Sequence, residues 1–337
     1  IMEKEKNIYF YGIGHSMVDY FEEKVSSEKL EKCEKIIFEN LENKVSLENK
    51  KGPFHLEDSE FQGIFDEISP KIRKTGGTAV NILKVAANFG ADCFFSGSVG
   101  ANNEDFDDDA IFFQSEMKER NVECQLFSSN LPTGRFLTAY DENKEKTVFV
   151  SVGAAKKIEV SQVNEIRFAH SSCFVMEGMQ FLNQEILEKV VDLAFSYNVP
   201  IAVDCGTIFG AEAVGKRLHD ISHSLDVILF ANEAEATVLK KYVEKPEENC
   251  LLYVEKLGKN GAKAYFDETE YFSEAKKIDS SVLLDDTGAG DTFAGAFLYQ
   301  IFEKTENKIY DLTKENIMEA LSFASEESGK ALEIFGI

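Results

Sequence analysis

The sequence predicts an α/β fold: a mostly parallel central sheet with helices on both faces, plus a small β-rich lid. Three observations predict it. The chain has 337 residues and 44% hydrophobic content, enough for one large α/β domain with a true core. From Gly77 onward, strand-like apolar runs alternate with segments whose apolar residues recur at helical spacing. Before that point, from about Tyr20 to Lys74, the chain is charge-rich and holds short pieces such as "KIIFEN" and "PFHLED" around Gly52 and Pro53. Such pieces suit a small antiparallel sheet. The whole chain, 1–337, reads as a single domain, with lid elements within about 20–75 and 122–152.

The elements follow in order. "NIYFYGIGH" (7–15) reads as a buried first strand that ends in glycines. "TAVNILKVAANFG" reads as a helix with Gly90 as its stop signal. "DCFFSGSVG" is strand-like, "DAIFFQSEMKERN" helix-like and "VECQLF" strand-like. "GRFLTAYD" and "KTVFVSVG" form a hairpin around "ENKEK". Strand–helix pairs then repeat: "CFVME" with "NQEILEKVVDLAFSYN", "PIAVDCG" with a helix, "DVILFA" with "EAEATVLKKY", and "LLYVEKLG" with a further unit. Two helical patterns follow, at about 288–302 and 314–332.

Charge and cysteine usage exclude several function classes. With 36 basic and 60 acidic residues the formal net charge is −24. Nucleic-acid binding needs clustered Lys and Arg, and anionic membranes attract the same residues. The chain is therefore expected to bind neither. An anionic small ligand is compatible, if local donors or a divalent cation meet it. The six cysteines are scattered with no C-x-x-C pair, which suits buried, reduced thiols. The segment "IMEKEKNIYF" has no apolar core of signal-peptide length, so a cytoplasmic protein is expected.

Ligands of open α/β sheets bind outside the carboxyl ends of the strands, so polar clusters there carry the chemistry. "DDTGAGDTFAGAF" (285–297), after the apolar "SSVLL", enters a helix through Thr287, Gly288, Ala289, Gly290 and Asp291. Unpaired N–H groups at such an entrance, with glycines allowing close approach, make an anion cradle. An ionised Asp291 beside it could accept a proton from an attacking hydroxyl, the arrangement phosphoryl transfer needs. The same residues suit a Gly/Ala-rich helix packed on the sheet, with Asp291 as a first-turn charge.

"FANEAEA" places Asn232 and Glu235 three apart at a helix start. That is a capping-box spacing, and equally a place for Glu235 to order water around magnesium. "KLGKNGAKAYF" offers Gly258 and Gly261, either a loop over a nucleotide or a hairpin turn. "TGGTAVN" puts Gly76 and Gly77 before a helix that carries Asn81, as a hinge or substrate contact or as an ordinary helix start. Asp19, two residues after Met17, reads as a carboxylate following the first strand, suited to sugar hydroxyls or to plain solvent. Three familiar motifs are missing: the third glycine of a dinucleotide loop is Met17, and no P-loop or G-x-S-x-G elbow occurs. His219 and His223 are four apart without a third ligand nearby, as on a surface helix.

Taken in order, these pieces resemble the ribokinase-like (PfkB) family of sugar and nucleoside kinases. The resemblance runs through Asp19, "GG-x-x-x-N" at Gly76 to Asn81, "GSVG" at Gly97 to Gly100 and "PTG" at Pro132 to Gly134. It continues through "GAA" at Gly153 to Ala155, "N-x-x-E" at Asn232 to Glu235, "LG-x-x-G" at Leu257 to Gly261, and "DTGAGDTF". It implies a three-layer sandwich fold and transfer of the γ-phosphoryl of ATP to a hydroxymethyl group of a sugar or nucleoside. By that resemblance Asp291 is the base, and the N–H groups of Gly288, Ala289 and Gly290 are the anion hole. Asn232 and Glu235 organise Mg2+ and phosphates, with Glu235 reaching the metal through water. Thr287, Gly258 and Gly261 line the ATP site, and Asp19, Gly76, Gly77 and Asn81 hold substrate hydroxyls. The lid closes over the substrate to exclude water.

Three departures from the family's sugar-kinase pattern stand out. Met17 replaces an Asn, Thr78 replaces a Lys after the double glycine, and Ala101-Asn102 replaces the usual "x-D" after "GSVG". The apolar Met17, the long 20–74 stretch and the "PTG…GAA" spacing resemble the adenosine kinase branch, where an apolar wall meets a base. A non-catalytic nucleotide or sugar sensor on the same fold is the competing reading, to which Thr78 and Asn102 lend support. Exposed lid edges would allow a homodimer, and the charge of the same stretch would keep the protein a monomer.

Overall fold

A computed structural model describes residues 7–38, 52–103, 105–277 and 283–337. In chain order the elements are β1 (Tyr9–Ile13), β2 (Met17–Val25), α1 (Ser27–Phe38), β3 (Phe54–His55), α2 (Asp58–Ile68), β4 (Ile72–Gly76) and α3 (Thr78–Asn88). Then come β5 (Asp92–Asn102), β6 (Asp105–Phe106), α4 (Asp108–Glu119), β7 (Val122–Ser129), β8 (Gly134–Asp141), β9 (Lys146–Ser151) and α5 (Glu165–His170). The second half holds β10 (Cys173–Glu177), α6 (Gln184–Tyr197), β11 (Ile201–Asp204), α7 (Ile208–Gly215), α8 (Leu218–Ser222), β12 (Val227–Asn232) and α9 (Glu233–Leu239). It closes with β13 (Leu252–Lys256), β14 (Ala262–Phe266), β15 (Thr269–Ser273), α10 (Ala289–Lys304) and α11 (Lys314–Ala331).

The large sheet runs β15-β14-β13-β12-β11-β10-β1-β5-β6, with β7 also paired to β5. From β13 to β7 the pairings are parallel, and the β13-β14-β15 edge is antiparallel. Helices cover both faces, and side-chain alternation assigns each residue to one of them. On β10, Cys173 and Val175 join the core beneath α3, α10 and α11 with Ile82, Phe297 and Leu321. Their neighbours Phe174 and Met176 join the opposite core with Val190, Leu193 and Leu239. Buried parallel strands read as near-continuous apolar runs, which is why "CFVME" was legible.

The second sheet is the lid, in the order β3-β9-β8-β2-β4. It differs from the expectation in three ways. The 20–74 stretch contributes two helices as well as strands: Leu30, Cys33 and Ile37 of α1 and Phe61, Ile64 and Ile68 of α2 turn inward at helical spacing. The pairing is mixed, since β2 lies parallel to β8 and β3 parallel to β9. Residues 122–129 belong to the large sheet as β7, so the later lid strands are β8 and β9, the expected hairpin. The "SSVLL" run lies mostly outside the described residues. All six cysteines are free thiols, and among the described residues no helix is long and apolar enough to cross a membrane.

Candidate active site

Both sheet neighbours of β1, β5 and β10, come later in the chain, so the crevice above β1 is where an open parallel sheet leaves room for a ligand. Adjacent strand ends bring polar residues there. Glu177 ends β10, Asp204 ends β11, Asn232 ends β12 and Lys256 ends β13, with Glu177 paired in register to Asp204 and Asn232 to Lys256.

The "DTGAGD" segment faces them. Gly288 caps α10 with φ +82, a left-handed conformation that favours glycine. The N–H of Ala289 reaches back to Asp286 O at a long 3.3 Å, a bond that a ligand oxygen could replace. Asp291 lies in the first turn. The Asn81 amide donates to Asp291 Oδ2 at 2.8 Å, joining residues 210 positions apart in sequence. Burial pushes the Asp291 carboxyl up to about 7, and the negative charge of Asp204 adds to this. The Asn81 hydrogen bond and the Lys256 charge oppose the rise, and Asp19 reinforces it.

Asp19 does not follow the first strand as expected. It sits within β2 of the lid, in register with Lys74 on β4 and Phe136 on β8. The structure brings it to the double glycine: a Cβ on Gly76 would stand 2.1 Å from its Oδ1. Gly77 has φ +109, and a Cβ there would meet His15 O at 2.1 Å. Only glycines fit this close approach of lid, first strand and α3. Burial pushes Asp19 up to about 7, while the Lys84 ammonium pulls it down.

Sequence reasoning missed that ammonium. Lys84 is buried in α3 and donates to Thr75 O at 2.7 Å and to Thr75 Oγ1 at 3.0 Å, fixing the residue before the double glycine. It also donates to Ile337 O. Burial lowers its pKa to about 8 against the pull of Glu116 and Asp19.

Thr287 faces the lid hairpin. Lys146 of β9 donates to Asp286 Oδ1 at 2.7 Å, to Thr287 Oγ1 at 2.9 Å and to Asp285 Oδ1 at 3.3 Å. Tyr140 of β8 donates to Asp285 at 2.5 Å. The lid is thereby tied to the glycine loop. Met17 packs in the lid with Val148, Val150 and Ala155, and Thr78 stands opposite Gly206.

Asn232 and Glu235 form a complete capping box: Glu235 N–H donates to Asn232 Oδ1 at 3.0 Å, and Asn232 N–H to Glu235 Oε2 at 2.8 Å. Glu235 is buried beside Lys256 and Asp204, and burial raises its carboxyl. Gly258 and Gly261 make the turn between β13 and β14, closed by Leu257 N–H to Gly261 O at 2.8 Å. Among the described residues no cluster of three His, Cys, Asp or Glu side chains forms a protein cage for a metal. The donor set still fits magnesium, which keeps several waters and takes phosphate oxygens beside one or two carboxylates. Glu235 is the carboxylate that would face that water shell.

Two further features were not read from the sequence. Lys256 Nζ donates to Asp204 Oδ2 at 2.5 Å. Burial works against its charge, but Asp204 and Glu235 outweigh burial and hold it protonated above the usual lysine range. At the end of β1, His15 Nδ1 lies 2.8 Å from Glu177 Oε1, which also accepts from His15 N–H.

The model of the pfkB family carbohydrate kinases matches residues 72–332, most of the chain. The chain belongs to this family. Phosphotransfer to a small-molecule acceptor is thus its chemistry at family level. As a pfkB kinase it is similar in fold to a probable sugar kinase from Rhizobium etli, with TM-score 0.78 and 19% identity over 98% of this chain and 94% of that one. It is equally similar to adenosine kinase from Sinorhizobium meliloti, with TM-score 0.78 and 18% identity over 98% and 95% of the two chains. Adenosine kinase from Schistosoma mansoni in complex with 2-fluoroadenosine follows, with TM-score 0.76 and 16% identity over 98% and 96%. No curated protein matches the chain.

Proposed function

We propose that this pfkB kinase transfers the γ-phosphoryl of ATP to a hydroxymethyl group of a sugar or nucleoside, with adenosine as the first acceptor to test. One observation carries the reading: Asp291, at the entrance of α10, is half-buried and held by Asn81 at 2.8 Å. Its carboxyl near neutrality suits a general base at physiological pH. Asp291 takes the acceptor hydroxyl proton, and the acceptor oxygen bonds to the γ-phosphorus as the bond to the β,γ-bridging oxygen breaks. The N–H groups of Gly288, Ala289 and Gly290 at the entrance of α10 meet the charge on the phosphoryl oxygens. Glu235, set by its cap with Asn232, orders water around magnesium, which offsets phosphate charge when bound. Asp19, with Asn81 and the close-packed Gly76 and Gly77, holds acceptor hydroxyls, and Met17 in the lid offers an apolar surface. Thr287, Gly258 and Gly261 border the nucleotide.

The nucleoside preference draws on Met17 and on the likeness to adenosine kinases from Sinorhizobium meliloti and Schistosoma mansoni. The test is coupled ADP release with adenosine and a panel of ketoses and aldoses, for wild type and Asp291→Asn. Wild type should turn over at least one acceptor. The variant should lose at least about a hundredfold in kcat, the scale of a missing general base, while still binding ATP. A fully active variant would refute the assignment of Asp291. Ligand binding by wild type without turnover of any acceptor would favour a sensor.

A further inference from the structure

The family chemistry needs positive charge where the phosphoryl group moves, and the helix entrance alone supplies only about half an elementary charge. Asp204, Glu235 and Asp291 all act electrostatically on one group at the strand ends, the Lys256 ammonium. The ammonium of Lys256 stands among them. Its side chain is 12% exposed, and Asp204, itself 1% exposed, takes one of its three N–H donors. The lysine shaft runs past the entrance of α10: a Cβ on Gly290 would stand 3.3 Å from Nζ and 3.9 Å from Cε. A side chain at position 290 would therefore crowd the ammonium, and glycine lets Lys256 approach the helix entrance closely.

We propose that Lys256 is a catalytic cation that contacts the transferring phosphoryl group, an inference that rests on the kinase reading above. Asp204 fixes the ammonium before substrate arrives, so no reorganisation is needed as charge spreads over the phosphoryl oxygens. A lysine acts there as a point charge with donors to spare. A purely structural lysine would neutralise the three carboxylates and ignore the γ-phosphate.

The experiment separates these roles without needing the acceptor. Titration calorimetry measures the affinities of ADP and of the non-hydrolysable β,γ-imido analogue of ATP, both with magnesium, for wild type, Lys256→Met and Lys256→Arg. Lys256→Met should weaken the analogue about tenfold more than ADP, the scale of one lost charge-assisted contact. Lys256→Arg should recover most of the difference. With an accepted substrate, kcat of Lys256→Met should fall about a hundredfold, as for a lost oxyanion donor. If Lys256→Met does not fold, Asp204→Asn, which frees the ammonium from its anchor, should show the same selective loss to a smaller degree. Equal losses for ADP and the analogue, or none, would overturn the role of Lys256 and leave the kinase reading standing on its turnover assay. A wild type that binds neither nucleotide would overturn both.

Discussion

Asn81→Ala should move the acidic limb of activity toward alkaline pH. In the free protein the Asp291 carboxyl is pushed up to about 7, and the Asn81 amide, at 2.8 Å, is one of the two influences opposing that rise. A hydrogen bond to a charged group contributes about 1.5–3 kcal/mol, and one pKa unit corresponds to about 1.4 kcal/mol. Loss of the amide should therefore raise the Asp291 pKa by roughly one to two units. At pH 7 the ionised fraction would drop from about one half to about one tenth or less, at least a fivefold loss of base. The assay is kcat/KM for the acceptor by coupled ADP release, from about pH 5.5 to about pH 9.5, because this ratio reports groups that ionise before the acceptor binds. Loss of a contact between Asn81 and the acceptor would lower kcat/KM evenly at every pH, whereas loss of the hydrogen bond to Asp291 tilts the profile. Wild type and Asn81→Ala should converge toward pH 9, apart from that even loss. A limb that stays in place or moves to the acid side would refute the coupling of Asn81 to the base.

Two further outcomes follow from the same geometry. Gly76→Ala puts a methyl 2.1 Å from Asp19 Oδ1, so the carboxylate must move; acceptor KM should rise about a hundredfold, the cost of a misplaced positioning group, with ATP affinity unchanged by calorimetry. The protein without ligands should lose stability as pH rises from about 4 to about 7, because the folded chain there holds protons on Asp19 and Asp291 that the unfolded chain has released. That contribution is complete below the unfolded carboxylate range and gone once pH passes the folded value of about 7. Asp291→Asn removes its share of the loss, so at pH 8 the inactive variant should melt several degrees above wild type by calorimetry. A variant that melts lower would contradict the burial cost assigned to Asp291.

The sheet was legible where a strand's surroundings are uniform. "CFVME", "PIAVDCG" and "DVILFA" lie between two helical layers, so their composition alone marks them. The lid was harder because its elements are short and half-exposed. In "KIIFEN" both an alternating and a helical pattern can be counted over six residues; only the wider spacing of Leu30, Cys33 and Ile37 shows the helix. The same ambiguity placed "VECQLF" in the lid, although its pairing with β5 was decided by a partner nearly 30 positions away. In the site, the glycines and Asp291 were visible because a helix entrance is a local motif. Asn81 was visible as a residue and invisible as a partner of Asp291. Lys84, Lys146, Asp204 and Lys256 carry no local signal: each looks like an ordinary charge until the fold brings it to a carboxylate or a backbone oxygen.

Those lysines bear on how Asp291, the proposed base, keeps a carboxyl near neutrality in an acidic chain. A carboxylate paired directly with a buried ammonium would have its pKa driven far down, and a strongly held carboxylate is a poor proton acceptor at neutral pH. Here each ammonium is tied elsewhere. Lys84 is anchored on Thr75 at 2.7 Å and influences Asp19 from beneath the double glycine. Lys256 is anchored on Asp204 at 2.5 Å and influences Asp291 only through space. Asp204 therefore acts in two ways on Asp291: its own charge raises the Asp291 pKa, and it holds the ammonium that lowers it. Burial is the largest influence that brings the carboxyl to about 7. The arrangement also places the Lys256 ammonium against Gly290 at the helix entrance, so on the proposed reading the charge offered to a phosphoryl group is held by Asp204 and not spent on Asp291.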